Sequence, residues 1–258
     1  MNPVKMLLLA LAVVPALALA SEGVRLDRLP ADVNPNDPVS LQRGAQVYVN
    51  YCLGCHGASY MRYNRLRDLG LTDQQIRDNL VFADAKVGDL MKTAMDPKNG
   101  KEWFGTTPPD LTVVARSRSS ADGSGADWLY SYLRGFYRDA SRPTGWNNIV
   151  FANVAMPHVL YGLQGEQVLK TEVVERRFGP REEEVERHEV QKLVLEKPGA
   201  MTAVEYDRMV SDLVNFLTYM GEPTRAARET LGIYVLIFLG VLFVLAYALK
   251  KEFWKDVH

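Results

Sequence analysis

The stretch Cys52-Leu53-Gly54-Cys55-His56 constrains this chain more than any other. Two thiols three residues apart, with a histidine directly after the second, have the spacing of a c-type haem attachment site. Each thiol can add across one vinyl group of a porphyrin, which leaves His56 beneath the iron as a first axial ligand. Two other chemistries share part of the pattern. A redox pair of the thioredoxin kind uses the same Cys-x-x-Cys, and so does half of a zinc site, which needs two further nitrogen or sulfur ligands. Cys52 and Cys55 are the only cysteines, so no four-thiolate zinc site can be completed and no disulfide framework is available.

The hydrophobic residues are concentrated at the two ends of the 258-residue chain. Lys5, the apolar run Met6 to Ala16 and the small-x-small triplet Ala18-Leu19-Ala20 have the layout of an export signal, residues 1–20, cleaved before Ser21. Export agrees with the attachment motif, because c-type haem is attached outside the bacterial cytoplasmic membrane. The second block, Leu231 to Leu249, is nineteen residues without a charge. At about 1.5 Å per residue it spans roughly 28 Å, close to the hydrocarbon core of a bilayer. Lys250, Lys251 and Lys255 follow it, which predicts a cytoplasmic C-terminus. The expected organisation is a periplasmic domain at 21–222, an anchor in the inner-membrane lipid at 223–252 and a short cytoplasmic tail at 253–258. The formal net charge of −1 and the absence of basic runs argue against a nucleic-acid partner.

Between these ends the periodicity is mostly helical. Asp37-Pro38 is a cap-and-proline helix start. Leu41, Ala45, Tyr48 and Cys52 then recur on one face, so this helix delivers the first thiol. Gly44 inside it marks close approach by another helix. Thr72 caps a helix to about Val81. Asp96-Pro97-Lys98-Asn99-Gly100 reads as a turn, 117–125 as a loop, and Trp128 to Phe136 as an amphipathic helix. Residues 141–162 read as loop and 166–197 as a charged β-hairpin. A capping box at Thr202-Ala203-Val204-Glu205 opens the last helix before the anchor.

A haem that carries electrons usually has both axial positions filled, and a methionine opposite histidine raises its potential. Met209 and Met220 fall on an apolar helix face and read as core. Met156 lies in a loop, in Val154-Ala155-Met156-Pro157-His158. His158 competes with it, because residues two apart in an extended segment point the same way. The pattern leaves both open.

Taken together, the residues resemble the cytochrome c1 family, the haem subunits of bacterial quinol–cytochrome c reductase (bc1) complexes. The resemblance runs over nearly the whole chain after residue 20. It covers CLGCH with Tyr60-Met61-Arg62-Tyr63, Pro108-Pro109-Asp110-Leu111 with Arg116 and Arg118, the 127–137 helix and Pro143-Thr144-Gly145. It continues through Ala155-Met156-Pro157, Asn215-Phe216-Leu217, Glu222-Pro223 and the single C-terminal anchor. The implied fold is mainly α, a cytochrome c-like haem domain with a small β-hairpin insertion and one C-terminal transmembrane helix. The implied site is one covalent haem c on Cys52 and Cys55, with His56 and Met156 as iron ligands. Arg118 would pair with a propionate and Pro109 would pack near the ring.

The resemblance also implies partners: cytochrome b as the site of quinol oxidation, a Rieske iron–sulfur protein as donor, a cytochrome c as acceptor, and a dimeric complex. The chain would be an electron relay with no catalytic site of its own. It departs from the family at His158, often apolar or proline in relatives, and at the 166–197 insertion. Two other functions fit the motifs alone. One is a free-standing anchored c-type shuttle; the other is a haem enzyme with an open sixth position.

Overall fold

The architecture is that of a computed structural model, which describes residues 26–30, 34, 36–82, 84–178 and 184–256. The export signal read at 1–20 lies outside the described residues. Helix α1 (Pro38–Val47) starts where the sequence predicts, with the Asp37 side chain accepting from the Val39 amide at 3.0 Å. It then departs from the expected continuous α-helix. Tyr48–Cys52 form a π turn, with the Leu53 amide reaching back to the Tyr48 carbonyl at 2.9 Å. Such turns interrupt the 3.6-residue period often at functional sites, and a hydrophobic face alone does not reveal them.

The remaining elements follow in order. They are β1 (Ala58–Arg62), a 3₁₀ turn (Tyr63–Leu69), α2 (Asp73–Leu80), β2 (Leu90–Met91), α3 (Pro97–Phe104), α4 (Val114–Ser117) and α5 (Gly125–Arg134). Then come β3 (Phe136–Arg138), β4 (Trp146–Asn148), α6 (Tyr161–Gln164), β5 (Gly165–Phe178), β6 (Glu184–Pro198), α7 (Ala203–Gly221) and α8 (Arg225–Phe253). The described strands pair two by two as antiparallel ladders, β1 with β2, β3 with β4 and β5 with β6.

The crossing of α1 over α7 organises the core. A Cβ on Gly44 would overlap the Asp212 carbonyl and come within 2.7 Å of Phe216 Cβ, so only glycine allows this approach. Polar groups lock the crossing beside it. The buried Asp212 carboxylate accepts from Ser40 Oγ at 2.6 Å and from Arg43 Nε and Nη2 at 2.6 and 2.9 Å, while Asn215 donates to Ser40 at 3.0 Å. Leu41, Ala45 and Tyr48 pack there with Val210, Leu213 and Phe216. Met209 and Met220 are buried on α7 as core residues. The capping boxes at Thr72 and Thr202 are both formed.

Two readings from sequence change. Asp96-Pro97 is a helix start rather than a turn, with Asp96 capping α3 as Asp37 caps α1. Gly100, which made the segment look like a turn, faces Pro108, whose Cδ leaves no room for a side chain at 2.8 Å. The 141–162 loop also holds a strand, β4, paired with β3 through Phe136–Asn148 and Arg138–Trp146.

The charged hairpin is present, from Gly165–Pro198 at its base to Phe178–Glu184; residues 179–183 at its tip lie outside the described residues. Its arms reach about 45 Å at roughly 3.3 Å per residue. Gln167 ties its base to the domain through the Arg134 and Phe136 carbonyls, at 2.9 and 3.0 Å. Helix α8 is the one helix among the described residues long and apolar enough to cross a membrane, and its apolar side chains are exposed all round.

Candidate haem site

The π turn ends at Cys52, and the chain then folds back sharply: the Cys55 and His56 amides donate to the Cys52 carbonyl at 3.0 and 2.8 Å. Tyr48 donates its hydroxyl to the His56 carbonyl at 2.8 Å, and Thr93 donates to the Gly54 carbonyl at 2.8 Å. The two cysteines are not joined to each other. Burial pushes the Cys52 thiol up to about 12, with the neighbouring Cys55 adding to the shift. A redox-active cysteine of the thioredoxin kind needs the opposite shift, toward the thiolate. Among the described residues no group of three or more His, Cys, Asp or Glu side chains could hold a metal ion, so the zinc alternative finds no further ligands there.

The imidazole of His56 is oriented by the Pro-Pro-Asp-Leu segment. Its Nδ1 lies 2.8 Å from the Pro109 carbonyl. A carbonyl can only accept, so Nδ1 carries the proton and Nε2 keeps a free lone pair. Burial favours the neutral ring, outweighing the opposing pull of the Pro109 carbonyl and Asp110. The segment itself is stitched to the residues after His56. The Leu111 amide donates to the Gly57 carbonyl at 2.9 Å, and Asp110 accepts from the Ser59 and Thr112 amides at 2.7 and 2.8 Å. Burial alone would raise the Asp110 pKa, but these hydrogen bonds outweigh it and hold the carboxyl below its ordinary range.

Met156 arrives on a loop built by asparagines. Buried Asn148 donates to the Tyr132 carbonyl at 2.8 Å and accepts from the Val150 and Phe151 amides at 2.9 and 3.2 Å. Asn147 accepts from the Asn153 amide at 2.8 Å, and Asn153 takes a left-handed φ of 62°. The chain bends at Met156, so the two-residue alternation assumed from sequence does not hold. Met156, Pro157 and Val159 line one cleft with Cys52, Cys55 and His56, and His158 does not. His158 is 2% exposed, stacked on Phe136 at 4.8 Å and edge-on to Trp146 at 5.0 Å. Burial pulls its pKa down to about 4.

The cleft is partly open to solvent and its lining is almost wholly apolar, with Pro108, Pro109 and Phe104 among the walls. Its donor set fits a haem: two thiols, an imidazole nitrogen and a thioether sulfur are all gathered there. Pro109 therefore lines the cleft and also orients His56 through its carbonyl. Arg118 is outside the lining. Its guanidinium lies over Trp128 at 4.4 Å and Phe151 at 5.5 Å, and no carboxylate among the described residues forms an ion pair with it. Sequence reading missed two site residues. Phe104 was hidden by reading α3 as a turn, although Asp96-Pro97 is the signal that would have found it. Tyr132, whose hydroxyl meets Met156 Sδ at 3.4 Å, carried only the signature of a helix face.

The Cytochrome C1 family matches residues 33–179 and 193–257. The chain is 47% identical to cytochrome c1 of Allochromatium vinosum, over 98% of this chain and 99% of the other. It is 48% identical to a Nitrosomonas europaea protein named ammonia monooxygenase gamma subunit, over the full length of both. It is also 26% identical to cytochrome b/c1 of Bradyrhizobium diazoefficiens, over 86% of this chain and 34% of the other. Proteins of the matched family bind one covalently attached haem c and serve in respiratory electron transport. By that match, and by a cleft equipped for such a group, the chain belongs to the cytochrome c1 family, the membrane-anchored c-type cytochrome subunits of the bc1 complex.

Proposed function

We propose that this chain relays single electrons from a Rieske iron–sulfur protein to a cytochrome c acceptor, while quinol is oxidised on a cytochrome b partner in a dimeric complex. The observation that carries the reading is the cleft shared by Cys52, Cys55, His56 and Met156. Bound haem c would supply a one-electron couple. The chain's residues determine where that couple sits and how readily it is reduced. Cys52 and Cys55 would hold the porphyrin edge as thioethers. His56 would ligate through Nε2, held in that tautomer by Pro109. Met156, a soft neutral donor, would occupy the sixth position and raise the potential. Arg118, free of an ion-pair partner among the described residues, would take a propionate.

The bc1 assignment gives cytochrome b as a partner, and the name of the Bradyrhizobium relative joins the two proteins. For the topology we infer a cleaved signal at 1–20, a periplasmic domain at 21–222, an inner-membrane anchor at 223–252 and a cytoplasmic tail at 253–258. The lysines after the apolar run support that orientation. The name carried by the Nitrosomonas relative describes an oxygenase component. Oxygen activation needs an open coordination position, and a thioether gathered into the same cleft as the imidazole favours a filled one.

The test is purification through a tag on this chain in mild detergent. Cytochrome b and a Rieske subunit should co-purify, and added quinol should reduce the haem. A chain that emerges alone, with a haem indifferent to quinol, would instead be a free-standing shuttle.

A further inference from the structure

The Met156 thioether has a hydrogen-bond donor of its own. Tyr132 is 9% exposed, and its hydroxyl lies 3.4 Å from Met156 Sδ, within reach for a sulfur acceptor. The ring is held on two sides, stacked on Trp128 at 4.7 Å and 13° and edge-on to Phe136 at 5.1 Å. Its backbone carbonyl is fixed by Asn148, the same residue that shapes the Met156 loop. The hydroxyl is therefore aimed, and no other partner for it is recorded among the described residues.

We propose that Tyr132 is a positioning residue that acts on the haem through Met156: its hydroxyl donates to the thioether sulfur, fixes the lone pair offered to iron and weakens that donation. This rests on Met156 being the sixth ligand. A ferric ion depends on ligand donation more than a ferrous ion does, so the hydrogen bond favours the reduced state.

The test uses the full chain in its membrane complex. Tyr132→Phe keeps the ring and removes the donor, and it should shift the reduction equilibrium toward ferric by about threefold to tenfold, tenfold being about 59 mV for one electron. The far-red absorption of methionine–ferric bonding should persist. Fluorotyrosine at position 132, a stronger donor, should shift the equilibrium the other way. Tyr130→Phe removes the hydroxyl of another buried tyrosine on the same helix, one whose ring lies against Arg134, and it should change neither reading. An unchanged or raised potential in Tyr132→Phe with the far-red band intact would overturn the proposal and leave Met156 as ligand. A band and potential unmoved by Met156→Leu would overturn both.

Discussion

The His56 side of the cleft and the Met156 side are built by different means. On the first, the thiols and the imidazole are consecutive in the chain, and main-chain groups fix them: a π turn, two amides on the Cys52 carbonyl and the Pro109 carbonyl on His56. On the second, side chains do more of the work: Asn147 and Asn148 on β4 hold the start of the loop that carries Met156, and Tyr132 on α5 reaches its sulfur. The thiols and the imidazole therefore come from consecutive residues, with Pro109 orienting His56 from 53 positions away, whereas Met156 reaches the cleft from a separate loop. Damage to the second should leave the first intact, while the reverse should not hold.

The largest effect should come from the local side. Cys52→Ser removes a buried thiol at the end of the π turn, and Cys55, the one cysteine left, would be committed to the other vinyl group. Covalent haem attachment should fall to a small fraction of wild type, read as haem stain on a denaturing gel. Full, acid-acetone-resistant haem in this variant would break the assignment of the motif.

A smaller effect is expected from the tertiary side. Asn148→Ala leaves the Val150 and Phe151 amides without their buried acceptor, while the Tyr132 carbonyl keeps the Gly135 amide. Each orphaned group costs about 1–3 kcal/mol, so thermal unfolding should move down by several degrees. Haem should remain covalently attached, while the far-red band weakens as Met156 loosens. Equal loss of attachment and band would show that the two sides are not independent.

The smallest effect belongs to the hairpin, which is tied to the domain at its base by Gln167 and Glu166. Glu166 is held at about 2, against an ordinary 4.5, by its hydrogen bond to Arg138 and then by Lys197. A depressed folded pKa contributes stability that is complete above the unfolded value and lost as the pH falls through the folded one. The protection of amides around 165–170 and 193–198, measured against their intrinsic exchange rates, should thus fall between pH 4.5 and 2, while the cleft is unaffected by this group. Glu166→Gln should remove that pH dependence. Added salt should weaken the ties, because the group is exposed to solvent.

The same division explains what could be read beforehand. CLGCH, the Asp37, Thr72 and Thr202 caps, the Gly44 crossing, the hairpin and the apolar anchor are local patterns, and the structure contains each of them. Which of Met156 and His158 lines the cleft was not legible, because a bend at Met156 breaks the alternation that the spacing of the two residues implies. The aromatic slot that accepts His158 was hidden too, because Phe136 read as the end of a helix and Trp146 as loop, whereas they sit on the paired strands β3 and β4. Tyr132 could not be recognised for the same reason: its partner lies 24 positions away.

The most direct test compares Met156→Leu with His158→Leu in the intact complex, by equilibrium redox titration and ferric absorption spectra. Met156→Leu should keep its covalent haem, lose the far-red band and drop in potential by roughly 100 mV or more. His158→Leu, changed in a slot outside the cleft lining, should keep the band and nearly the wild-type potential. The reverse pattern, with the band lost in His158→Leu and retained in Met156→Leu, would contradict the account of the site.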